Sequence, residues 1–593
     1  MDMAACLALL WGAFMLPAPA FAQEGQAAPD ADIRSETGID AGSDTGADGA
    51  NDADGADGEE GPILRLHPYA QARLAEIDRA MPRAVAAYRE ALAADPGSVD
   101  VARRGYRQAV LAGDRPLALA AARLLDAAEQ LSRDGSVLLL ADALDRRQWN
   151  EAAARIDRLE TEGNLAFLAP FMRGWLSLAQ KRYSPPEPVP DDASAAFGNR
   201  YRAEQLLLLA LARGDRDGLD QAYADAADGI EDMGAEEQAM IAARLVKLGR
   251  RDLAERLLAE GEATWAGPDA AAALKRVGKL YRKRAFTPQY ALGVLLTRLV
   301  DDLRGQGEGI ATLSIARMAG FADPQSDDVR VTVARAALMA DYPQIAEAEA
   351  AKVAPSSPAW FDAEAMRLRA LVAQDREAEA VARAQQLVAQ NEGNARGWRL
   401  LGDLMAQRDD FAGAAQAYGR ARDALGGRED ASLLLQLGGA LEQAGQWAEA
   451  RPLLERVVEL APDSAVALNH LGYALADRGE DLPRAIELLE KANRIRPREP
   501  AYIDSLGWAY FRAGRHARAL PLLQNAVEME PGNPELNEHL GDVLWAMGRR
   551  FEARYAWQAA LVGLDEDDQR TPRMRARLTD KLDGKGPDAA ARP

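Results

Sequence analysis

Side chains that could perform chemistry are few in this sequence, and their spacing does not assemble a site. The only cysteine is Cys6, and the four histidines are His67, His470, His516 and His539. None of these histidines has a histidine, cysteine or carboxylate neighbour at a metal-ligand spacing. We therefore predict no bound metal ion and no cofactor, and we expect His470 and His539 to be surface or groove residues.

Glycine motifs do not supply a phosphate-binding loop or a nucleophile. Gly305, Gly307 and Gly309 form a GxGxG pattern, but no strand precedes it and its spacing does not match a dinucleotide-binding loop. GxSxG and P-loop motifs do not occur. The sequence thus predicts a protein that is not an enzyme and has no catalytic residue. Its formal net charge of −21 argues against nucleic-acid binding, which needs an excess of Lys and Arg.

The elements that carry these residues repeat along the C-terminal part of the chain. Five segments each contain a Leu-Gly pair, with successive glycines 36, 34, 35 and 34 residues apart at Gly402, Gly438, Gly472, Gly507 and Gly541. Small residues follow at Ala414, Ala450, Ala485, Ala519 and Ala553. This period predicts two antiparallel helices per unit, A and B, with the glycine allowing close contact between them. We expect turns between A and B at Gly445, Gly479, Gly514 and Gly548.

This pattern resembles the tetratricopeptide repeat (TPR), which implies an all-α fold, a right-handed superhelical solenoid of antiparallel helical hairpins. Residues 395–563 would form five such units, and residues 62–394 would form degenerate units of the same kind. Residues 564–593 would form a polar capping helix and a loose tail. No stretch shows the sustained alternation that indicates strands.

The N-terminus has the composition of a targeting segment. Residues 4–16 are apolar or small, and Ala20-Phe21-Ala22 forms a cleavage site before Gln23, so residues 1–22 predict a signal peptide. Residues 23–61 hold 12 acidic residues and one arginine and predict a disordered linker. Because Cys6 is not at the position of a lipoprotein cysteine, we expect an exported, periplasmic protein with no integral membrane segment after cleavage. Peripheral association with the outer membrane remains open.

A groove lined by helix A is the predicted partner-binding surface. Positions 2, 5, 9 and 12 of each unit should face it. The candidates are Arg396, Arg399, Asn469, Tyr473, Asp504, Trp508, Phe511, Glu538, Asp542 and Trp545. Their aromatic rings with an acidic rim would favour a basic or amphipathic protein segment. The alternative is that some of these aromatics pack on the neighbouring unit or under the C-terminal segment.

The runs DSLGW and HLGDVLW, at residues 504–508 and 539–545, carry a closer resemblance. They are similar to a proteobacterial family of exported TPR proteins that includes outer-membrane lipoprotein adaptors of carboxyl-terminal processing proteases. This resemblance implies a scaffold that links such a protease to cell-wall hydrolases, although the lipoprotein cysteine is missing here. Alternatives are an assembly factor for a pilus, secretion or polysaccharide-export machine, and a regulatory part of a glycosyl-transfer system.

Overall fold

The chain is built from helices throughout the part that can be described. The computed structural model describes residues 67–162, 165–188, 195–230, 232–260, 269–303, 309–390, 392–565 and 571–585. No β-strand occurs in these ranges, which confirms the all-α prediction, and none of their helices is long and apolar enough to span a membrane. The predicted signal peptide, the acidic linker, Cys6 and most of the GxGxG pattern lie outside the described residues.

Eighteen helices precede the five C-terminal units. They are α1 Pro68–Ile77, α2 Met81–Ala94, α3 Val99–Ala112, α4 Arg115–Ala127, α5 Arg133–Asp145, α6 Trp149–Glu162, α7 Leu168–Ala179, α8 Ala195–Arg213, α9 Leu219–Ala226, α10 Ala235–Lys247, α11 Arg251–Glu260, α12 Ala270–Leu280, α13 Pro288–Asp302, α14 Gly309–Ala322, α15 Asp327–Met339, α16 Pro343–Ala350, α17 Trp360–Val372 and α18 Glu377–Gln390. A short 3₁₀ turn, Ala227–Gly229, follows α9.

The C-terminal units hold two helices each, and one further helix follows them. They are α19 Ala395–Gln407, α20 Phe411–Ala424, α21 Ala431–Gln443, α22 Trp447–Leu460, α23 Ala465–Arg478, α24 Leu482–Ile495, α25 Pro500–Arg512, α26 His516–Met529, α27 Pro534–Ala546, α28 Arg550–Val562 and α29 Thr571–Asp580. A final turn, Lys581–Lys585, extends α29. Odd-numbered helices from α19 to α27 are helix A of each unit, and even-numbered helices are helix B.

The turns between A and B use left-handed backbone. Gly445, Gly479, Gly514 and Gly548 have φ between 70° and 79°, as the sequence predicts for these four glycines. In the first unit Asp409 takes the same conformation at φ 56°. A short polar side chain tolerates that conformation better than other non-glycine residues do, so the turn is preserved without glycine.

The Leu-Gly glycines allow helix A to touch helix B of its own unit. A Cβ added at Gly472 would lie 2.7 Å from Leu489 Cγ, and one at Gly507 would lie 2.8 Å from Leu523. Real Cβ atoms do not approach that closely. The small residues predicted at the helix crossing, from Ala414 to Ala553, are fully buried. The close approach inferred from the sequence is thus confirmed for these units.

Gly541→Ala should destabilise the last unit by about 1–3 kcal/mol, because the new methyl group would collide with the indole of the fully buried Trp557. Gly419→Ala is the matched control. A Cβ at Gly419 would meet no atom within 4 Å, so helix propensity predicts an unchanged or slightly higher stability. Amide hydrogen exchange of α27 and α28 measures the difference. Equal protection in the two variants would contradict the close-packing argument.

The upstream half departs from a stack in which each unit touches only its neighbours. Gln289 Nε2 donates to Leu144 O at 3.0 Å, and Ser314 Oγ donates to Asp134 Oδ2 at 2.8 Å. Arg317 Nε donates to Leu111 O at 3.1 Å across 206 residues of sequence. Helices α13 and α14 therefore pack back on α3, α5 and α7, and one apolar cluster joins α1 to α7 with α13 to α17. Helices α8 to α12 form a second cluster with the start of α13.

Two helix N-termini cap each other where these clusters meet. Asp328 of α15 accepts the backbone N–H of Glu236 at 3.0 Å and of Glu237 at 2.8 Å, at the start of α10. Glu236 in return accepts the Ser326 hydroxyl at 3.0 Å and the Asp327 N–H at 2.6 Å. Burial raises the pKa of Glu236 to about 8 and that of Asp328 to about 6. Each carboxyl thus satisfies orphan donors of the other's helix.

Candidate functional site

Most of the predicted groove residues lie between repeats. Asn469, Tyr473, Asp504, Trp508, Glu538 and Asp542 are buried, whereas Arg396, Arg399, Phe511 and Trp545 are half-buried. The expected exposure of the aromatic patch is wrong for Tyr473 and Trp508, which are 3% and 2% exposed, and so is that of its acidic rim. These side chains fill the space between successive A helices. Whether any of the ten binds a partner stays a prediction.

Acidic side chains on each helix A are satisfied by the next helix in line. We call this series the carboxylate ladder. Its pairs are Asp403 with Gln436 at 2.9 Å, Glu442 with His470 at 2.8 Å, Asp477 with Trp508 at 3.3 Å, Asp504 with His539 at 2.7 Å and Glu538 with Arg577 at 2.7 Å. The five pairs join α19 to α21, α21 to α23, α23 to α25, α25 to α27 and α27 to α29. The carboxylates that the sequence predicts on the rim of the groove are therefore mostly hydrogen-bonded within the array.

His539 forms a step of this ladder that also stacks on an aromatic ring. Its ring stacks on Trp508 with centroids 4.2 Å apart and planes inclined by 17°. Burial alone would lower the pKa of His539, but the charge of Asp504 and their hydrogen bond outweigh it and raise the pKa to about 9. The expectation that His470 and His539 are surface or groove residues is wrong, because both are buried against carboxylates of the preceding unit.

The two candidate arginines also serve the stacking of units. Arg396 forms an ion pair with Asp362 of α17, and its guanidinium lies 5.5 Å from the ring centre of Phe361. Arg399 donates to Ser432 Oγ of α21 at 2.5 Å. Both side chains therefore connect α19 to the A-side helices of the neighbouring units, α17 and α21.

The most exposed aromatic side chains among the described residues lie outside the predicted groove. Phe551 and Tyr555 on α28 are 72% and 60% exposed, and their rings form an edge-to-face pair with centroids 4.8 Å apart. Met547, 40% exposed, precedes Phe551 by one turn. Sequence reasoning missed this patch because it considered helix A only. The signal was the four-residue spacing of Phe551 and Tyr555 on the face of helix B opposite the buried Ala553 and Trp557.

Phe511 and Trp545 remain partly accessible on the A helices. Phe511 lies 5.0 Å from Trp508 and 5.4 Å from His516, measured between ring centres. Trp545 lies 5.3 Å from Trp557 and belongs to the apolar cluster that includes Leu578 of α29. The alternative that some aromatics pack under the C-terminal segment therefore holds for Trp545. Across the described ranges, no three His, Cys, Asp or Glu side chains converge to hold a metal ion.

Residues 429–498 and 505–569 match two family models of the tetratricopeptide repeat. The C-terminal part of the chain therefore carries TPR units. A TPR repeat-containing protein of Pseudomonas aeruginosa is 41% identical over 91 residues. That match spans 15% of this chain and 15% of the curated relative's length.

Solved structures with similarity to the chain include several TPR proteins. A chain of the APC/C hetero-tetramer Cut9–Hcn1 is 14% identical, with a TM-score of 0.40 over 86% of this chain and 96% of its own. YrrB, a TPR protein with an unusual peptide-binding site, is 22% identical, with a TM-score of 0.26 over 31% of this chain and 91% of its own.

Proposed function

We propose that this chain is a non-catalytic scaffold that binds protein partners on its C-terminal TPR units. The exposed ring pair of Phe551 and Tyr555 carries the proposal. Large aromatics anchor protein interfaces because they bury much area at low entropic cost, and an exposed pair on a helix adds only a few tenths of a kcal/mol to the stability of the chain. The TPR units beneath them form a stack that needs no partner to fold its core, so the surface is preformed.

The proposed setting is the periplasm, and the proposed role is that of an adaptor between an envelope protease and its substrates. Two features support this setting: the targeting segment at residues 1–22, and the resemblance of the DSLGW and HLGDVLW runs to exported TPR adaptors. The mechanism would be multivalent docking, in which one array holds two partners and raises their effective concentration for each other.

Crosslinking of a periplasmic fraction, followed by capture of the chain, tests both proposals. Phe551→Ala/Tyr555→Ala should reduce the recovered partner about tenfold or more, since a hot-spot aromatic contributes about 2 kcal/mol or more. Its stability should change little because both rings are exposed. Recovery of a processing protease or wall hydrolase supports the adaptor role, whereas recovery of pilus, secretion or polysaccharide-export components alone would replace it.

The matched control is Leu460→Ala/Ile495→Ala. Leu460 and Ile495 are apolar side chains on outer helices of other units; they are 38% and 43% exposed, less than the two rings, and carry no ring pair. Partner recovery should be unchanged in this variant. An equal loss in both variants would mean that the ring pair has no special role. Absence of the chain from the periplasmic fraction would overturn the proposed location.

A further inference from the structure

The last step of the carboxylate ladder differs from the others, because its donors come from a helix that no helix B follows within the described residues. Glu538 on α27 receives two parallel hydrogen bonds from Arg577 Nε and Nη2, both at 2.7 Å. Lys581 Nζ lies 2.5 Å from Glu538 Oε1 and 2.8 Å from Asp542 Oδ2. The two carboxylates thus form a buried acidic site that holds a basic pair.

The occupant of this acidic site follows a simple pattern. Arg577 and Lys581 are one helical turn apart and lie on the same face of the segment formed by α29 and its final turn. Leu578, between them, is fully buried in an apolar cluster with Leu544 and Trp557. An arginine, a leucine and a lysine in this spacing therefore make the recognised element.

The basic pair keeps Glu538 ionised, whereas burial raises the pKa of Asp542. Burial would raise the pKa of Glu538, but the hydrogen bond from Arg577 and the charge of Lys581 outweigh it and lower the pKa to about 2. Asp542 Oδ1 also accepts the Trp557 indole N–H at 3.0 Å, which fixes the carboxylate beside Lys581. Removal of the basic pair would leave buried carboxylates that must find other cations or be hydrated.

Polar contacts hold α29 more than apolar burial does. Helix α29 buries Thr571 and Leu578, whereas α27 buries eight of its residues. Among the described residues no helix B covers the outer face of α29. Besides the Arg577 and Lys581 ion pairs, Met574 and Leu582 pack against the apolar cluster and Arg554 donates to Leu582 O. Arg and Lys side chains from another helix with the same spacing would make the same ion pairs.

We propose that Glu538 and Asp542 form a docking site for a basic amphipathic helix of a protein partner, with Arg and Lys one turn apart around a leucine, and that α29 occupies the site until the partner displaces it. This rests on the proposed scaffold function and names the partner's chemistry. The net charge of −21 favours the approach of such a partner. The segment 571–585 acts as an internal competitor.

A labelled synthetic peptide of residues 571–585 is the probe. Full-length chain carrying Arg577→Glu/Lys581→Glu, whose own segment can no longer pair, should bind the peptide about tenfold or more tightly than the wild-type chain does. Adding Glu538→Gln/Asp542→Asn should abolish the gain. Equal peptide affinity of the wild-type chain and the Arg577→Glu/Lys581→Glu variant would overturn the proposal, and a concentration-dependent dimer of the wild-type chain that Glu538→Gln/Asp542→Asn abolishes would assign the site to a second copy instead.

Hydrogen exchange of the wild-type chain covers the case in which the charge-reversed variant does not fold. Saturating peptide should increase exchange in α29 while α27 stays protected, and a peptide with both basic residues changed to Glu should have no effect. Unchanged exchange in α29 at saturation would refute displacement. Because the assay contains no cellular partner, its failure would leave the Phe551 and Tyr555 result standing.

Discussion

Replacing His539 by Phe is expected to lower the local stability of the last two TPR units by about 3–5 kcal/mol. The substitution leaves Asp504 as a buried charge without its partner, and one-sided removal of a buried pair has costs of that size. Phe keeps a flat ring against Trp508, so the loss reports the charge more than the volume. Amide hydrogen exchange of α25 and α27 in the full chain gives the free energy of opening.

The double variant Asp504→Ala/His539→Phe separates charge from packing. It removes both charges and should recover most of the stability lost in the single variant.

The contribution of the Asp504–His539 pair to stability depends on pH with a definite sign. Since the folded pKa of His539 is raised to about 9 from 6.5, its contribution is complete below pH 6.5 and disappears as pH rises through 9. A stability difference between wild type and double variant that does not fall over this range would contradict the pairing.

Replacing Arg298 by Met should destabilise the middle of the chain by about 3–5 kcal/mol, again by stranding buried charge. Arg298 on α13 is a buried guanidinium that donates to Glu204 of α8 at 2.7 Å and to Glu237 of α10 at 2.8 Å. Without it, two carboxylates face each other away from water. Hydrogen exchange of α8 and α10 measures the loss.

Two further variants make the Arg298 result specific. Arg298→Lys retains the positive charge but not the planar guanidinium with its several N–H donors. We therefore expect it to lose stability, but less than Arg298→Met does. Arg298→Met combined with Glu204→Gln and Glu237→Gln should be more stable than Arg298→Met alone. Burial and the neighbouring Glu204 already raise the pKa of Glu237, so protonation relieves the stranded carboxylates at low pH, and the defect of Arg298→Met should grow as pH rises above the ordinary Glu value of 4.5. A defect that is independent of pH would argue for a purely steric cause.

The repeat core could be predicted from the sequence because it depends on short spacing. Gly472 and Leu489 lie in one hairpin, and their fit requires only that two helices cross at a small residue. The turn glycines follow from the same local geometry, since the backbone at Gly445 demands positive φ whatever lies around it. The Leu-Gly pair repeats five times and the turn glycine four times, which separates the pattern from chance.

The candidate site was less predictable because it depends on what faces each residue across a junction. Asp504 and His539 are 35 positions apart, and each, taken inside its own unit, looks like a polar residue at a groove position. Only the curvature of the stack turns them toward each other. In the upstream half, the bond from Arg317 to Leu111 joins residues that no repeat period relates. Periodicity therefore described the units well and their contacts poorly.

The carboxylate ladder requires the units to follow one another in their present order. Each junction uses a different combination of acceptor and donor, so the units are not interchangeable. Excision of α25 and α26 as one block would make α27 the A helix that follows α23. Asp477 would then lose Trp508, and His539 would lose Asp504. A deletion or duplication of a whole unit would thus keep the helical repeat but mismatch the hydrogen-bond partners at the new junction. Recombination between repeats would therefore produce arrays with unpaired buried carboxylates, which should fold less stably than the present array.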